Sequence, residues 1–124
     1  MPFLNDLVVK SIRGTDQRKL QQGLVFASKD GTIVVARKDF ITDYASIPKF
    51  LRSWIDQDSG RIRDAAVIHD YLYHIGVVRD ITRKQADNYF FEGMRDLGMG
   101  WIKACAAWLA VRVCGSKYWN NLHN

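Results

Sequence analysis

Cysteine is scarce in this sequence: Cys105 and Cys114 are the two that it has. If both lie on one helix, their nine-residue separation places them about 13.5 Å apart, which is too far for a disulfide. We therefore exclude a disulfide framework. Residues 1–6 also lack the basic region and apolar core of a secretory signal, so we expect the chain to be made and to fold in a reducing cytoplasm.

Histidine is also scarce, and the three in the chain are His69, His74 and His123. On a helix, the side chains of His69 and His74 point about 140° apart, so they cannot easily join one ligand set. No cysteine pair or His-Glu-x-x-His spacing indicates zinc. A phosphohydrolase that holds transition metals with several histidines is therefore the third-ranked hypothesis.

The longest apolar segment, Trp101 to Cys114, is shorter than the roughly 20 residues that cross a membrane. We expect no transmembrane segment and instead a third helix buried against two others, with Gly115 as a plausible stop. The alternative is an exposed aromatic rim that suits a membrane interface or a protein partner, formed by Trp101, Trp108, Tyr118 and Trp119.

The formal net charge is +5, which favours a phospholipid headgroup surface, nucleic acid or an acidic protein as a neighbour. The basic residues are scattered rather than gathered in one stripe, and this argues against a dedicated nucleic-acid site. With 48% hydrophobic and 25% charged residues, the 124-residue chain fits one soluble domain, 1–124.

The amino-terminal third has a β-rich pattern, and Asp30-Gly31 is a hairpin turn signal. The predicted strands are Leu7 to Ile12, Leu24 to Ser28 and Thr32 to Ala36. We therefore predict an α+β fold, with an N-terminal hairpin or small sheet in residues 1–42 and a bundle of about three helices in residues 43–124.

A chemical site is indicated by His69 and Asp70. Ala65, His69 and Leu72 share an apolar helical stripe that should face the core, and Tyr73 lies on the same face. Asp70 is rotated by about 100°, so the imidazole could handle a proton while this carboxylate held a cation. The alternatives are a core histidine satisfied by hydrogen bonds and a surface ion pair of Asp70, with Arg61, Arg63 or Lys84.

A second helix is predicted to begin at Thr82, where Thr82 and Gln85 fit a capping box. Its core stripe is Ala86, Phe90, Met94 and Leu97. The short connection from about His74 to Ile81 should return this helix antiparallel to the first. Asp87 could then meet His69, fix its tautomer and leave the other ring nitrogen to take a proton from water.

Ala65 to Tyr73, Ala86 to Phe90 and Met94 together resemble phospholipase A2, particularly its short prokaryotic branch. There a helix with His-Asp-x-x-Tyr packs against one with Asp followed three residues later by Phe. The resemblance implies that His69 is the general base, Asp87 its partner, Tyr73 a hydrogen-bond donor to Asp87, and Asp70 a calcium ligand. Calcium would polarise the ester carbonyl. The sequence departs from that family in lacking its disulfides and its glycine-rich calcium loop.

The element Phe40 to Pro48, which contains Thr-Asp-x-Ala-Ser-Ile-Pro, together with the His-Asp helix, Arg83 and Asp87, resembles a second family. It is a small family of phage and prophage genomes, catalogued as a domain of unknown function. This resemblance covers roughly residues 39–115 and implies viral origin, synthesis in the host cytoplasm, and association with the virion or other phage proteins.

Asp43 could add a second carboxylate to a cation site with Asp70, since calcium prefers six to eight oxygen ligands. The alternative is a simple turn in which Asp43 bonds its own backbone, followed by a helix over Lys49 to Ile55 that Pro48 begins.

Two function hypotheses follow: a small calcium-dependent ester hydrolase, and a non-catalytic phage virion or interaction protein that uses the same helix pair as a scaffold. An enzyme needs His69 beside an open cleft. A structural protein can close over Asp43, His69, Asp70 and Asp87 as a buried polar lattice.

Overall fold

The computed structural model describes residues 3–15, 17–42, 63–76 and 80–123, and within these ranges five short strands precede three helices. The strands are β1 (Val9–Ser11), β2 (Arg18–Leu20), β3 (Leu24–Ala27), β4 (Ile33–Ala36) and β5 (Ile41–Thr42). The helices are α1 (Arg63–Ile75), α2 (Arg83–Asp96) and α3 (Trp101–His123). The predicted α+β class is confirmed. The helix expected over Lys49 to Ile55 lies outside the described residues.

The strands form two antiparallel sheets, one in the order β1-β2-β5 and one made of β3 and β4. The hairpin predicted at Asp30-Gly31 is present: Ser28 N–H donates to the Thr32 carbonyl, and Gly31 has a φ of +93°. That conformation suits glycine, which has no Cβ to clash. Sequence analysis missed β2 and β5, because β2 is polar at two of its three positions and β5 has only two residues.

The β3–β4 hairpin packs against α1. Alternate side chains of each strand are buried, as expected for a sheet with one face on the core. Phe26 and Val34 belong to the same apolar cluster as Ile68 and Leu72 of α1. Burial of this face fixes the rotation of α1 about its axis and therefore the direction in which His69 points.

Consecutive helices pack antiparallel, α1 against α2 and α2 against α3. A Cβ built at Gly93 of α2 would lie 3.1 Å from the Ala65 Cβ near the start of α1, while His69, a turn later, lies against Phe90. The predicted capping box is confirmed, since the Thr82 side chain accepts from Gln85 N–H and the Gln85 side chain accepts from Thr82 N–H. Along α3, Trp108 donates to Asn88 at 3.0 Å.

The helix stop predicted at Gly115 is wrong, because α3 continues to His123. Gly115 is buried within the helix, and a Cβ there would lie 2.5 Å from the Tyr73 hydroxyl oxygen. Glycine therefore permits a close approach of α3 to α1 rather than a C-cap. Because the helix continues, Tyr118 and Trp119 pack against the core that Tyr73 belongs to.

The four aromatic residues of α3 do not form the exposed rim that was considered as an alternative. Tyr118, Trp119 and Trp108 are partly buried, and of the four aromatic residues only Trp101 is largely exposed. None of the helices formed by the described residues is both long and apolar enough to cross a membrane.

Gly115→Ala tests the close approach. Alanine favours a helix interior, but its Cβ would meet the Tyr73 hydroxyl, so we expect the free energy of unfolding to fall by about 1 to 3 kcal/mol. Gly100→Ala is the control, since an added Cβ there has no atom within 4 Å. Urea denaturation measures both variants; equal stability of Gly115→Ala and the parent chain would contradict the packing.

Candidate functional site

The Asp87 carboxylate is the centre of a fully buried polar cluster between the helices. Nε2 of His69 lies 2.6 Å from Oδ1 of Asp87. The Tyr73 hydroxyl donates to the same oxygen, also at 2.6 Å. The structure thus brings together the three residues to which the sequence assigned catalysis, whereas their catalytic role stays a prediction.

Local structure explains why these groups meet. His69 and Tyr73 are four residues apart, so they occupy successive turns on one face of α1. The capping box at Thr82 fixes where α2 begins and thereby sets the place of Asp87 a little more than one turn into that helix. The His69 ring packs against the Tyr73 and Phe90 rings, with centroid distances of 4.3 and 4.8 Å. These contacts hold the imidazole plane.

Two arginines complete the surroundings of Asp87, and sequence analysis missed both of them. The Arg112 guanidinium donates to Oδ2 of Asp87 at 2.9 Å, and the Arg83 guanidinium lies 3.6 Å from the same oxygen. Arg83 also donates to the backbone carbonyls of Val111 and Arg112, so it joins α2 to α3. The spacing of four residues between Arg83 and Asp87 was the available signal for one contact; no local pattern identifies the Arg112 contact.

The hydrogen bonds decide the charge of Asp87. Burial by itself would raise the pKa of this carboxyl group, but bonds from His69, Tyr73 and Arg112 hold the pKa below its ordinary value. Burial, together with the Asp87 charge, raises the pKa of Tyr73, so Tyr73 stays a phenol and donates. An ionised Asp87 can only accept, so His69 donates its Nε2–H to Asp87.

Asp70 is also fully buried, so it does not lie at the surface, where a pair with Arg61, Arg63 or Lys84 was considered. Its Oδ2 accepts a hydrogen bond from the Thr42 hydroxyl at 2.7 Å. This contact joins α1 to β5, immediately before the segment that contains Asp43. Asp43 itself, Arg61 and most of the Thr-Asp-x-Ala-Ser-Ile-Pro element lie outside the described residues.

The described residues do not by themselves fit a calcium ion. Within ranges 3–15, 17–42, 63–76 and 80–123, no three His, Cys, Asp or Glu side chains are grouped so that they could hold a metal. Asp87 is bonded to His69, Tyr73 and Arg112, whereas Asp70 is bonded to Thr42. We therefore derive no chemical step through a metal, and calcium ligation by Asp70 and Asp43 stays a prediction.

His74 does not join His69. Its Nδ1 lies 2.8 Å from the Asp70 carbonyl oxygen, and its ring contacts Phe40 and Tyr118. The side chain of His123 lies outside the described residues. The geometry of His74 gives the third-ranked hypothesis, a multi-histidine metal site, no support.

His69 is less accessible to solvent than the hydrolase hypothesis requires. The His69 side chain is fully buried rather than at the edge of an open cleft. In the described part of the site, the side chains of His69, Tyr73 and Asp87 are fully buried and joined by hydrogen bonds at Asp87.

Comparison with known proteins gives one match. No curated protein and no solved structure shows a significant match to the chain. The sequence model of one family matches residues 18–111, a range that includes α1, α2 and the cluster around Asp87 except for Arg112. Because this match covers well over half of the chain, the protein belongs to the family described as protein of unknown function (DUF1353).

Proposed function

We propose that this protein is a small, phage-encoded ester hydrolase in which His69 is the general base. The observation that supports this most is the 2.6 Å contact between His69 Nε2 and an Asp87 carboxylate that Tyr73 also holds. This arrangement fixes one imidazole tautomer, so that Nδ1 can accept a proton. These contacts also agree with the hydrogen-bond partners that the phospholipase A2 resemblance implies for His69, Tyr73 and Asp87.

The proposed reaction begins when Nδ1 of His69 removes a proton from water as the water oxygen bonds to the ester carbonyl carbon. The bond from that carbon to the alcohol oxygen then breaks, and the proton on Nδ1 passes to the departing alcohol. Asp87 orients the ring and stabilises the imidazolium, while Tyr73 and Arg112 keep the carboxylate fixed. Because His69 is fully buried, turnover requires the groups that cover the ring to move.

Burial supports a second candidate, a non-catalytic phage structural or interaction protein. His69, Asp70 and Asp87 are all fully buried, and every buried side-chain polar atom in the described part of the chain has a hydrogen-bond partner. A closed and fully satisfied network can fix the packing of the helices without any catalytic role. The two candidates differ in what substitution of His69 removes: turnover in one, stability in the other.

His69→Gln separates the two candidates. The glutamine amide can still donate to Asp87 but cannot act as a base. If the site is catalytic, we expect hydrolysis of phosphatidylglycerol and of p-nitrophenyl esters to fall by about 10²- to 10⁴-fold, with little change in the free energy of unfolding.

The matched control is His74→Gln, on the same helix but outside the cluster, which should keep full activity. Undetectable hydrolysis by the parent chain, combined with a clear loss of stability in His69→Gln, would favour the structural candidate.

Calcium ligation is tested by measuring the midpoint temperature of thermal unfolding with calcium, magnesium, manganese or zinc in turn. A ligand that binds only the folded chain stabilises it by RT ln(1 + [L]/Kd), about 2.7 kcal/mol when the free ion is at 100 times its Kd. We expect a calcium-selective rise that Asp70→Asn abolishes. An equal rise with all four ions, or none with calcium, would rule out the predicted ligation.

The lowered pKa of Asp87 predicts how the free energy of unfolding changes at low pH, whichever candidate function is correct. Because its pKa is lowered in the folded chain, its contribution is fully present above the unfolded carboxyl pKa of about 3.9 and is lost as the pH falls through the folded value. Arg112→Gln removes a donor that lowers this pKa, so stability should depend less on pH below about 4. Denaturation at a series of pH values measures this, and unchanged pH dependence would contradict it.

A further inference from the structure

Helix α3 is apolar on two opposite faces. Its inner face packs on α1 and α2 through Ala104, Ala107 and Val111, all fully buried. Its outward side chains lie at positions 102, 106, 109 and 113, a spacing that keeps them on one face. Of these, Ile102 is 79% exposed, Leu109 56% and Val113 69%, while Ala106 is also exposed. We name Ile102, Ala106, Leu109 and Val113 the outer stripe.

The charged side chains that α3 carries are all basic. Lys103 and Lys117 are exposed on α3, and the helix contains no acidic residue from Trp101 to His123. At the amino-terminal end of the stripe, the Trp101 side chain is 63% exposed. An indole with both apolar and polar parts is well suited to a boundary between lipid and water.

We propose that the outer stripe of α3 binds the surface of an anionic lipid bilayer, with the helix lying in the plane of the headgroups. The apolar side chains would enter the boundary between headgroups and acyl chains, and Lys117 would meet lipid phosphates. The complementary charge is that of the headgroups, since α3 is basic and the whole chain carries +5. This inference concerns attachment alone and does not require His69 to be catalytic.

The size and charge of the surface favour lipid over a second copy of the chain. From Ile102 to Val113 the stripe rises only about 16.5 Å, and four side chains are few beside the roughly 20 to 30 residues that each partner contributes to a standard protein interface. Pairing two copies along the stripe would also bring basic helices together without an acidic residue on either. A bilayer needs only a few inserted apolar side chains and a basic flank.

Co-sedimentation with vesicles tests the proposal. One vesicle set is made of ether-linked phosphatidylglycerol mixed with ether-linked phosphatidylcholine, and the other of ether-linked phosphatidylcholine alone. Ether lipids have no acyl ester to cleave, so binding is measured apart from hydrolysis. We expect the chain to bind the anionic vesicles and to be released as salt screens the charges.

Two double variants are compared. The test variant combines Ile102→Glu with Val113→Glu on α3. The matched control combines Ile33→Glu with Val35→Glu on β4, where both side chains are also exposed. We expect the α3 variant to lose about tenfold or more in vesicle binding and the β4 variant to keep it. Unchanged circular dichroism and thermal midpoints exclude unfolding as the cause.

Three results would overturn the proposal. The first is no binding to anionic vesicles, and the second is an equal loss of binding in both variants. The third is a dimer in light scattering that the α3 variant dissociates, which would assign the stripe to a second copy. If the parent chain binds the anionic vesicles but hydrolyses no ester, the proposed function is refuted and this inference stands.

Discussion

The buried charge of Asp87 is the constraint on which the arrangement of the helices depends. An ionised carboxylate removed from water is very costly unless it is paired and hydrogen-bonded. Here α1 supplies His69 and Tyr73, α2 supplies Arg83, and α3 supplies Arg112. Because each helix contributes a hydrogen-bond donor or a cation to one carboxylate, none of the three can shift without leaving a buried charge less well compensated.

The same network serves both stability and the proposed chemistry, and the two make opposite demands on it. Rigid donors keep Asp87 ionised and the His69 tautomer fixed, which is what a general base requires before its substrate arrives. Complete burial protects those bonds but also separates the ring from water. A hydrolase built on this cluster must open over His69 without disturbing Asp87, whereas a structural protein has no need to open at all.

Local patterns predicted the parts of the site that local structure determines. The apolar stripe that contains His69, the capping box at Thr82 and the short connection between the two helices led to the prediction that Asp87 could meet His69, because each is a local feature of the sequence. Arg112 was missed since its contact depends on how α3 crosses α2. Gly115 was misinterpreted as a stop because a glycine that permits close packing has the same sequence pattern as one that ends a helix. The short strands β2 and β5 depend on pairing with distant residues, which no local periodicity encodes.

Helix α3 connects the charge network around Asp87 with the outer stripe. Arg112 points inward to Asp87, while Leu109 and Val113, on adjacent turns, belong to the exposed outer stripe. An α-helix with its side chains is about 10 Å in diameter, so a lipid surface bound to the stripe would lie one helix thickness from the charge network. The cost of moving Arg112 away from Asp87 then opposes any tilt of α3 in the headgroup layer. The buried network would therefore keep the outer stripe in a fixed orientation, while the access that His69 needs would have to come from elements other than α3.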